Sequence, residues 1–169
     1  MKKLVVYCHG YASSAKTDKV ARLKAKHEHV YAWDINVDPE ISLPALEKAI
    51  NDLLVTDMHD DAELVFVGTS LGGWYASVLA ERYDARAIVV NPCYNPQVSL
   101  AKYGVSPEIL NKYEDMPIAR RAEFVIAADD EVLNFDAIKP AMAHALTVSP
   151  SGGHRFNGPE FEALVSDRI

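Results

Sequence analysis

Apolar residues along the 169-residue chain fall into short unbroken runs, separated by longer segments in which they recur every three or four positions. The runs at 3–8, 30–34, 63–67, 85–90, 123–127 and 146–149 predict six strands. The first has no polar alternation over Leu4 to Cys8, as expected of a strand buried on both faces. The spaced segments predict helices. One covers 15–28, capped by Ser13 or Ser14; a second runs from an N-cap at Ser42 through an early Pro44 to about Thr56. Others cover 72–83 and 135–144, and a last one starts at Pro159. Strand and helix alternate throughout, the pattern of an α/β protein with a mostly parallel sheet flanked by helices. The alternation lapses only over 91–121, where Pro92, Pro96, Pro107 and Pro117 break the chain into short pieces and a lid-like insertion is expected. Without a repeat, low-complexity tract or linker, 1–169 reads as a single domain.

Composition narrows the partners. Hydrophobic residues make up 49% and charged residues 24% of the chain, ordinary for a soluble globular protein. A net charge of −7 argues against nucleic acid, which needs a concentrated basic surface. The densest basic stretch, 16–26, reads as the solvated face of a helix. No apolar run approaches the roughly 20 residues that span a bilayer, so no membrane partner is expected. The N-terminus opens with two lysines and an apolar run, but that run stops at His9-Gly10, too short for a signal peptide; a cytoplasmic location is expected. Cys8 and Cys93 form neither a disulfide framework nor a metal pattern, and no cofactor or metal is expected.

Chemistry enters at Gly68-Thr69-Ser70-Leu71-Gly72, which joins a predicted strand directly to a predicted helix. Such a turn places Ser70 at a strained apex with its hydroxyl above the sheet, and the glycines avoid collisions with neighbouring backbone. The helix N-terminus aims N–H groups at negative charge developing beside Ser70. A serine hydroxyl needs a base. Of six histidines, His27, His29, His59 and His144 suit surface roles, whereas His154 lies in the loop after the last predicted strand, Ser-Gly-Gly-His-Arg-Phe. A carboxylate must orient that base. The strand at 123–127 ends in Ala128-Asp129-Asp130-Glu131, where Asp130 is preferred because Glu-Val-Leu follows it, with Asp129 as the alternative. The order Ser70, Asp130, His154 is that of α/β-hydrolases. The oxyanion donors are expected to be the N–H groups of Leu71 and Tyr11, with Gly10 allowing close approach and His9 fixing its loop by hydrogen bonding.

Together these residues resemble the YqiA/YcfP-like family of small bacterial α/β-hydrolases. The resemblance rests on His-Gly-Tyr-X-Ser-Ser from His9, Gly-Thr-Ser-Leu-Gly-Gly-Trp-Tyr-Ala at 68–76 and Asn-Pro-X-X-X-Pro at 91–96. Asp-Glu-Val-Leu-Asn at 130–134 and Gly-Gly-His-Arg-Phe at 152–156 complete it. It implies a minimal α/β-hydrolase fold without a large cap, an esterase acting on short acyl esters, and Asp130 rather than Asp129 as the acid. The leading expectation is hydrolysis of small carboxylic esters through an acyl-enzyme. Thioester or amide substrates would use the same residues, and a non-catalytic ligand- or protein-binding scaffold is the reading from another class. Trp74, Tyr94 and Tyr103 are candidates to line the site, although Trp74 sits where helix packing would bury it.

Overall fold

In the computed structural model, which describes residues 2–57 and 62–169, β1 (Lys2–Cys8) leads through α1 (Asp18–Lys26) to β2 (Val30–Ala32). Next come α2 (Pro39–Asp57), β3 (Ala62–Thr69), α3 (Leu71–Tyr83) and β4 (Arg86–Val90). Two one-turn helices, α4 (Pro96–Ser99) and α5 (Pro107–Leu110), precede β5 (Ala122–Ala127), α6 (Lys139–Met142), β6 (Leu146–Ser149) and α7 (Pro159–Leu164). The six strands form one parallel sheet in the order β2-β1-β3-β4-β5-β6.

Side chains alternate across this sheet and fill two cores. Val5, Tyr7, Val65, Val67, Ile88 and Val125 face α1 and α7. Val6, Phe66, Val89, Phe124 and Ile126 face α2, α3 and α6. Burial on both faces is why the strands read as continuous apolar runs. The path from β1 to β2 leaves toward one edge, and the path from β2 to β3 crosses back to the other side of β1. The loops that follow β1 and β3 therefore diverge and open a crevice at the carboxyl ends of adjacent strands, the usual place for a site in such a sheet.

Several helix boundaries differ from the sequence expectation, each for a local reason. The first helix starts at Asp18 with Thr17 as N-cap, its hydroxyl accepting from Val20 N–H, rather than at residue 15 with a serine cap. Ser13 and Ala15 are held in the preceding loop instead, by Gly10 O and Asp34 Oδ1 respectively. The second helix starts earlier, at Pro39, because Asp38 Oδ1 accepts the Glu40 N–H, while the Ser42 hydroxyl donates to Asn36 O inside the first turns. The helix expected over 135–144 is reduced to α6 and a 3₁₀ turn at Ala143–Ala145, in line with the missing N–H of Pro140.

The segment 91–121 packs largely over α3. Leu110, Tyr113, Met116 and Ala119 are buried there, Trp74 Nε1 donates to Glu114 O at 2.8 Å, and the Trp74 ring meets Tyr113 edge-on at 4.9 Å. This second cover explains why α3 is buried on every side from Leu71 to Ala80. Cys93 and the stretch around 99–103 are the parts of this segment that line the crevice among the described residues.

Candidate active site

The turn from β3 into α3 holds Ser70 at φ 56°, ψ −121°, a left-handed conformation rare for a residue with a Cβ. Its surroundings enforce it. Ser70 N–H donates to Val90 O at 3.0 Å, and Ser70 O accepts from Gly73 N–H and Cys93 N–H, both at 2.9 Å. The turn closes only because two positions lack side chains. A Cβ at Gly68 would lie 2.0 Å from Gly72 O, and one at Gly72 would lie 1.9 Å from Cys8 O. α3 thus starts in backbone contact with the end of β1.

Ser70 Oγ lies 2.8 Å from His154 Nε2, and His154 Nδ1 lies 2.8 Å from Asp130 Oδ2. Asp130 has 1% of its side chain exposed, and its other oxygen accepts from Val132 N–H at 2.7 Å and Leu133 N–H at 2.8 Å. Burial alone would raise its pKa. The bonds from the His154 ring and from the Leu133 and Val132 amides outweigh that cost, and the carboxyl is held below its ordinary value. An ionised carboxylate only accepts, so Nδ1 of His154 carries the proton and Nε2 is free to accept from Ser70. The three adjacent acids divide their work geometrically. Asp129 Oδ1 accepts from Gly153 N–H at 2.8 Å and Glu131 Oε2 from His154 N–H at 3.0 Å, so Asp130 is the acid that meets the imidazole.

The loop after β1 lies against this group. A Cβ at Gly10 would be 3.4 Å from Ser70 Cβ. His9 is 3% exposed; its Nε2 accepts from Ile35 N–H at 2.8 Å, which leaves Nδ1–H to donate to Gly10 O at 2.8 Å. Both ring nitrogens are committed to backbone, and His9 fastens the loop. The Leu71 N–H, in the first turn of α3, has no intrahelical acceptor, and Tyr11 N–H has no acceptor among the described residues. Beneath them, Tyr7 Oη and Thr69 Oγ1 lie 2.9 Å apart, with burial pushing the Tyr7 phenol up to about 12.

One residue in this arrangement has a position but no role in the sequence reading. Asn91 directly follows β4, at φ 41°, and is fully buried. Its Nδ2 donates to Gly153 O at 2.8 Å and His154 O at 3.1 Å, and its Oδ1 accepts from Ala127 N–H at 2.8 Å. It ties the ends of β4 and β5 to the histidine loop. The available signal was its place, an Asn-Pro step at the carboxyl end of a central strand.

The cleft above Ser70 and His154 has a volume of about 740 Å³. Tyr11 and Tyr103 stack at its rim with ring centroids 5.3 Å apart. Leu100, Val132 and Leu133 give it an apolar wall, while Lys19, Lys102 and Arg155 give it charge. Of the aromatic candidates, Tyr103 lines it. Trp74 is 4% exposed within the core, and Tyr94 Oη donates to Asn134 O. His27 Nε2 lies 2.9 Å from Ser166 O, His144 packs near Phe124, and His59 falls outside the described residues. Among the described residues no helix is long and apolar enough to cross a membrane.

The parallel six-stranded sheet, with a serine on the glycine-flanked turn between its third strand and the following helix, defines an α/β-hydrolase fold without a large cap. The chain belongs to the uncharacterised protein family UPF0227, matched over residues 4–116, which is the YqiA/YcfP-like family that its motifs resemble. Among solved structures it is similar to Est1E from Butyrivibrio proteoclasticus, at 14% identity and a TM-score of 0.68 over 99% of this chain and 85% of that one. It is also similar to the Pyrococcus furiosus esterase Pf2001, at 15% identity and a TM-score of 0.70 over 99% and 78%. Alpha/beta hydrolase domain-containing protein 10 from mouse matches at 13% identity and a TM-score of 0.65 over 97% and 87%. At these identities the likeness is one of fold.

Proposed function

We propose that the protein hydrolyses small carboxylic esters through an acyl-enzyme, with Ser70 as nucleophile, His154 as base and Asp130 as the acid that orients it. The observation that carries the reading is the unbroken hydrogen-bond chain Ser70–His154–Asp130, 2.8 Å at each link. Ser70 Oγ attacks the ester carbonyl carbon as its proton passes to His154 Nε2. The carbonyl oxygen becomes an oxyanion facing the N–H groups of Leu71 and Tyr11. The bond to the alcohol oxygen then breaks, and that oxygen takes the proton from His154. Water, deprotonated by His154, repeats the addition and releases the carboxylic acid and Ser70. Asp130 stays ionised throughout and stabilises the imidazolium.

The test is reaction with a fluorophosphonate probe followed by peptide mapping, together with hydrolysis of p-nitrophenyl butyrate. Stoichiometric labelling of Ser70, lost in Ser70→Ala and reduced at least ~100-fold in rate in His154→Ala, is expected for a base-activated serine. Ester hydrolysis at an unchanged rate in Ser70→Ala would overturn the assignment.

A further inference from the structure

The sequence predicts a solvated helix face for the basic stretch 16–26, and Lys24 and Lys26 are exposed. Lys19 differs: it turns into the cleft, where its Nζ donates to Asn157 Oδ1 at 2.7 Å and lies 5.8 Å from the centre of the Phe161 ring. Arg155, directly after His154, lines the same cleft. Six of the seven arginines, Arg22, Arg82, Arg86, Arg120, Arg121 and Arg168, pair with a carboxylate; Arg155 has no such partner among the described residues. Neither has Lys19. In a chain of net charge −7 acids are in surplus, so a pair of unneutralised cations side by side is unexpected unless something else balances them.

Of the acids that share the cleft, Asp18 is paired with Arg22, and Glu131 is turned to the backbone of the histidine loop rather than to Lys19 or Arg155. Asp18 Oδ2 accepts from Arg22 Nε at 2.6 Å, and Glu131 Oε2 accepts from the His154 amide. Lys102 is a third cleft cation without a carboxylate partner among the described residues; its ammonium donates to Val132 O at 3.4 Å and lies 5.1 Å from the Tyr103 ring centre. The stress on Lys19 follows. Burial lowers its amine to about 8, Asp18 opposes the shift and Arg155 adds to it.

We propose that Lys19 and Arg155 form a recognition site for an anionic group, a carboxylate or a phosphate, on the ester that Ser70 hydrolyses. This rests on the ester-hydrolase reading and narrows it to esters bearing an oxyanion beyond the scissile bond. Lys19 supplies an ammonium on the rigid first turn of α1, and Arg155 a fork able to take two oxygens of one anion. The anion replaces the missing carboxylate partner of both.

Two measurements test this. The first compares kcat/KM for neutral p-nitrophenyl butyrate with mono-p-nitrophenyl succinate, and for the butyryl ester of 4-hydroxybenzamide with those of 4-hydroxybenzoate and 4-hydroxyphenyl phosphate. The expected preference for an anionic member is about tenfold, equal to about 1.4 kcal/mol. It falls toward unity in Lys19→Met and Arg155→Met, and is retained in Lys48→Met, which removes a remote exposed cation. The first pair reports an anion on the acyl side; the second set reports one on the alcohol and separates carboxylate from phosphate. Equal turnover of neutral and anionic esters, or a preference that Lys48→Met weakens as much as Lys19→Met, overturns the inference and leaves the hydrolase reading intact. The second measurement is calorimetric binding of benzoate and phenyl phosphate, against benzamide, to Ser70→Ala protein. If no ester is turned over at all, the hydrolase reading fails, and this binding decides the anion site by itself. Tighter binding of an anion, lost in the Arg155→Met background, upholds it; no difference from benzamide overturns it.

Discussion

Replacing Asn91 by alanine tests how the histidine is kept in place. The substitution deletes donation to Gly153 O and His154 O and acceptance from Ala127 N–H, all in a fully buried position. Ala127 is itself 2% exposed, so its N–H is left without water or protein. A buried donor stripped of its partner costs about 1–3 kcal/mol. An alanine at φ 41° adds about 1 kcal/mol of backbone strain that asparagine bears more easily. The freed carbonyls at 153 and 154 lie in a loop that water reaches, so their loss costs less. The expected destabilisation is about 2–4 kcal/mol, read as a lower urea midpoint at unchanged slope. Activity should fall more than stability alone dictates, because well-folded Asn91→Ala leaves the histidine loop to the bonds that Gly153 N–H donates to Asp129 and that His154 donates to Asp130 and Glu131. The rate of fluorophosphonate labelling at a temperature where the variant is fully folded measures that second effect. Asn91→Asp sharpens the test, since it keeps shape and the Ala127 bond but sets a carboxylate oxygen against two carbonyls. An unfolding free energy from urea titration within ~0.5 kcal/mol of the parent and an unaltered labelling rate would refute the reasoning.

Other consequences are equally direct. Gly72→Ala should fail to fold stably: its methyl would sit 1.9 Å from Cys8 O and 2.5 Å from Cys8 C, backbone that cannot rotate away. The cost should therefore reach or pass the ~3 kcal/mol upper range of overpacking, seen as an early thermal transition. Because Asp130 titrates below its ordinary 3.8 in the folded state, its ionised form contributes stability above that pH, and the contribution is lost as pH falls through the lower folded value. Asp130→Asn should flatten the acid limb of stability measured by urea unfolding between about pH 5 and 2, and an unchanged slope would contradict the assignment. Burial raises the thiols of Cys8 and Cys93 to about 12 and about 11, so Ellman's reagent at pH 8 should find neither in the native protein and both in guanidinium.

Much of this was visible in the residues because the physics was local. Strands buried on two faces write themselves as apolar runs, and the serine, acid and histidine each follow such a run, so their order could be read. Asp129 and Asp130 could not be separated from the residues alone, because what distinguishes them is direction: one meets the backbone of Gly153, the other the ring of His154. Asn91 stayed silent for a related reason. Its partners lie 36, 62 and 63 positions away, and an asparagine before a proline looks like a turn whichever way its amide points. The helix that begins at Pro39 was misplaced because two good caps, Asp38 and Ser42, stand four residues apart, and tertiary packing decides between them. Lys19 was read with its basic neighbours since nothing in a helical stretch of lysines marks which one turns inward.

Phe156 anchors the histidine loop in the core, but the polar grip on Gly153 and His154 touches only main-chain atoms apart from the imidazole itself. Asn91 holds carbonyls, Asp129 and Glu131 hold amides, and none senses what side chain residue 154 carries. Chemistry and architecture are therefore separable at this position. With Ser70 and His154 in the proposed roles, one substitution at residue 154 should silence the serine while leaving cleft, cations and aromatic rim where they were. Under that proposal the framework stands a single codon from exchanging catalysis for capture, and the same change gives the experimenter a ready-made trap for whatever ligand the cleft selects.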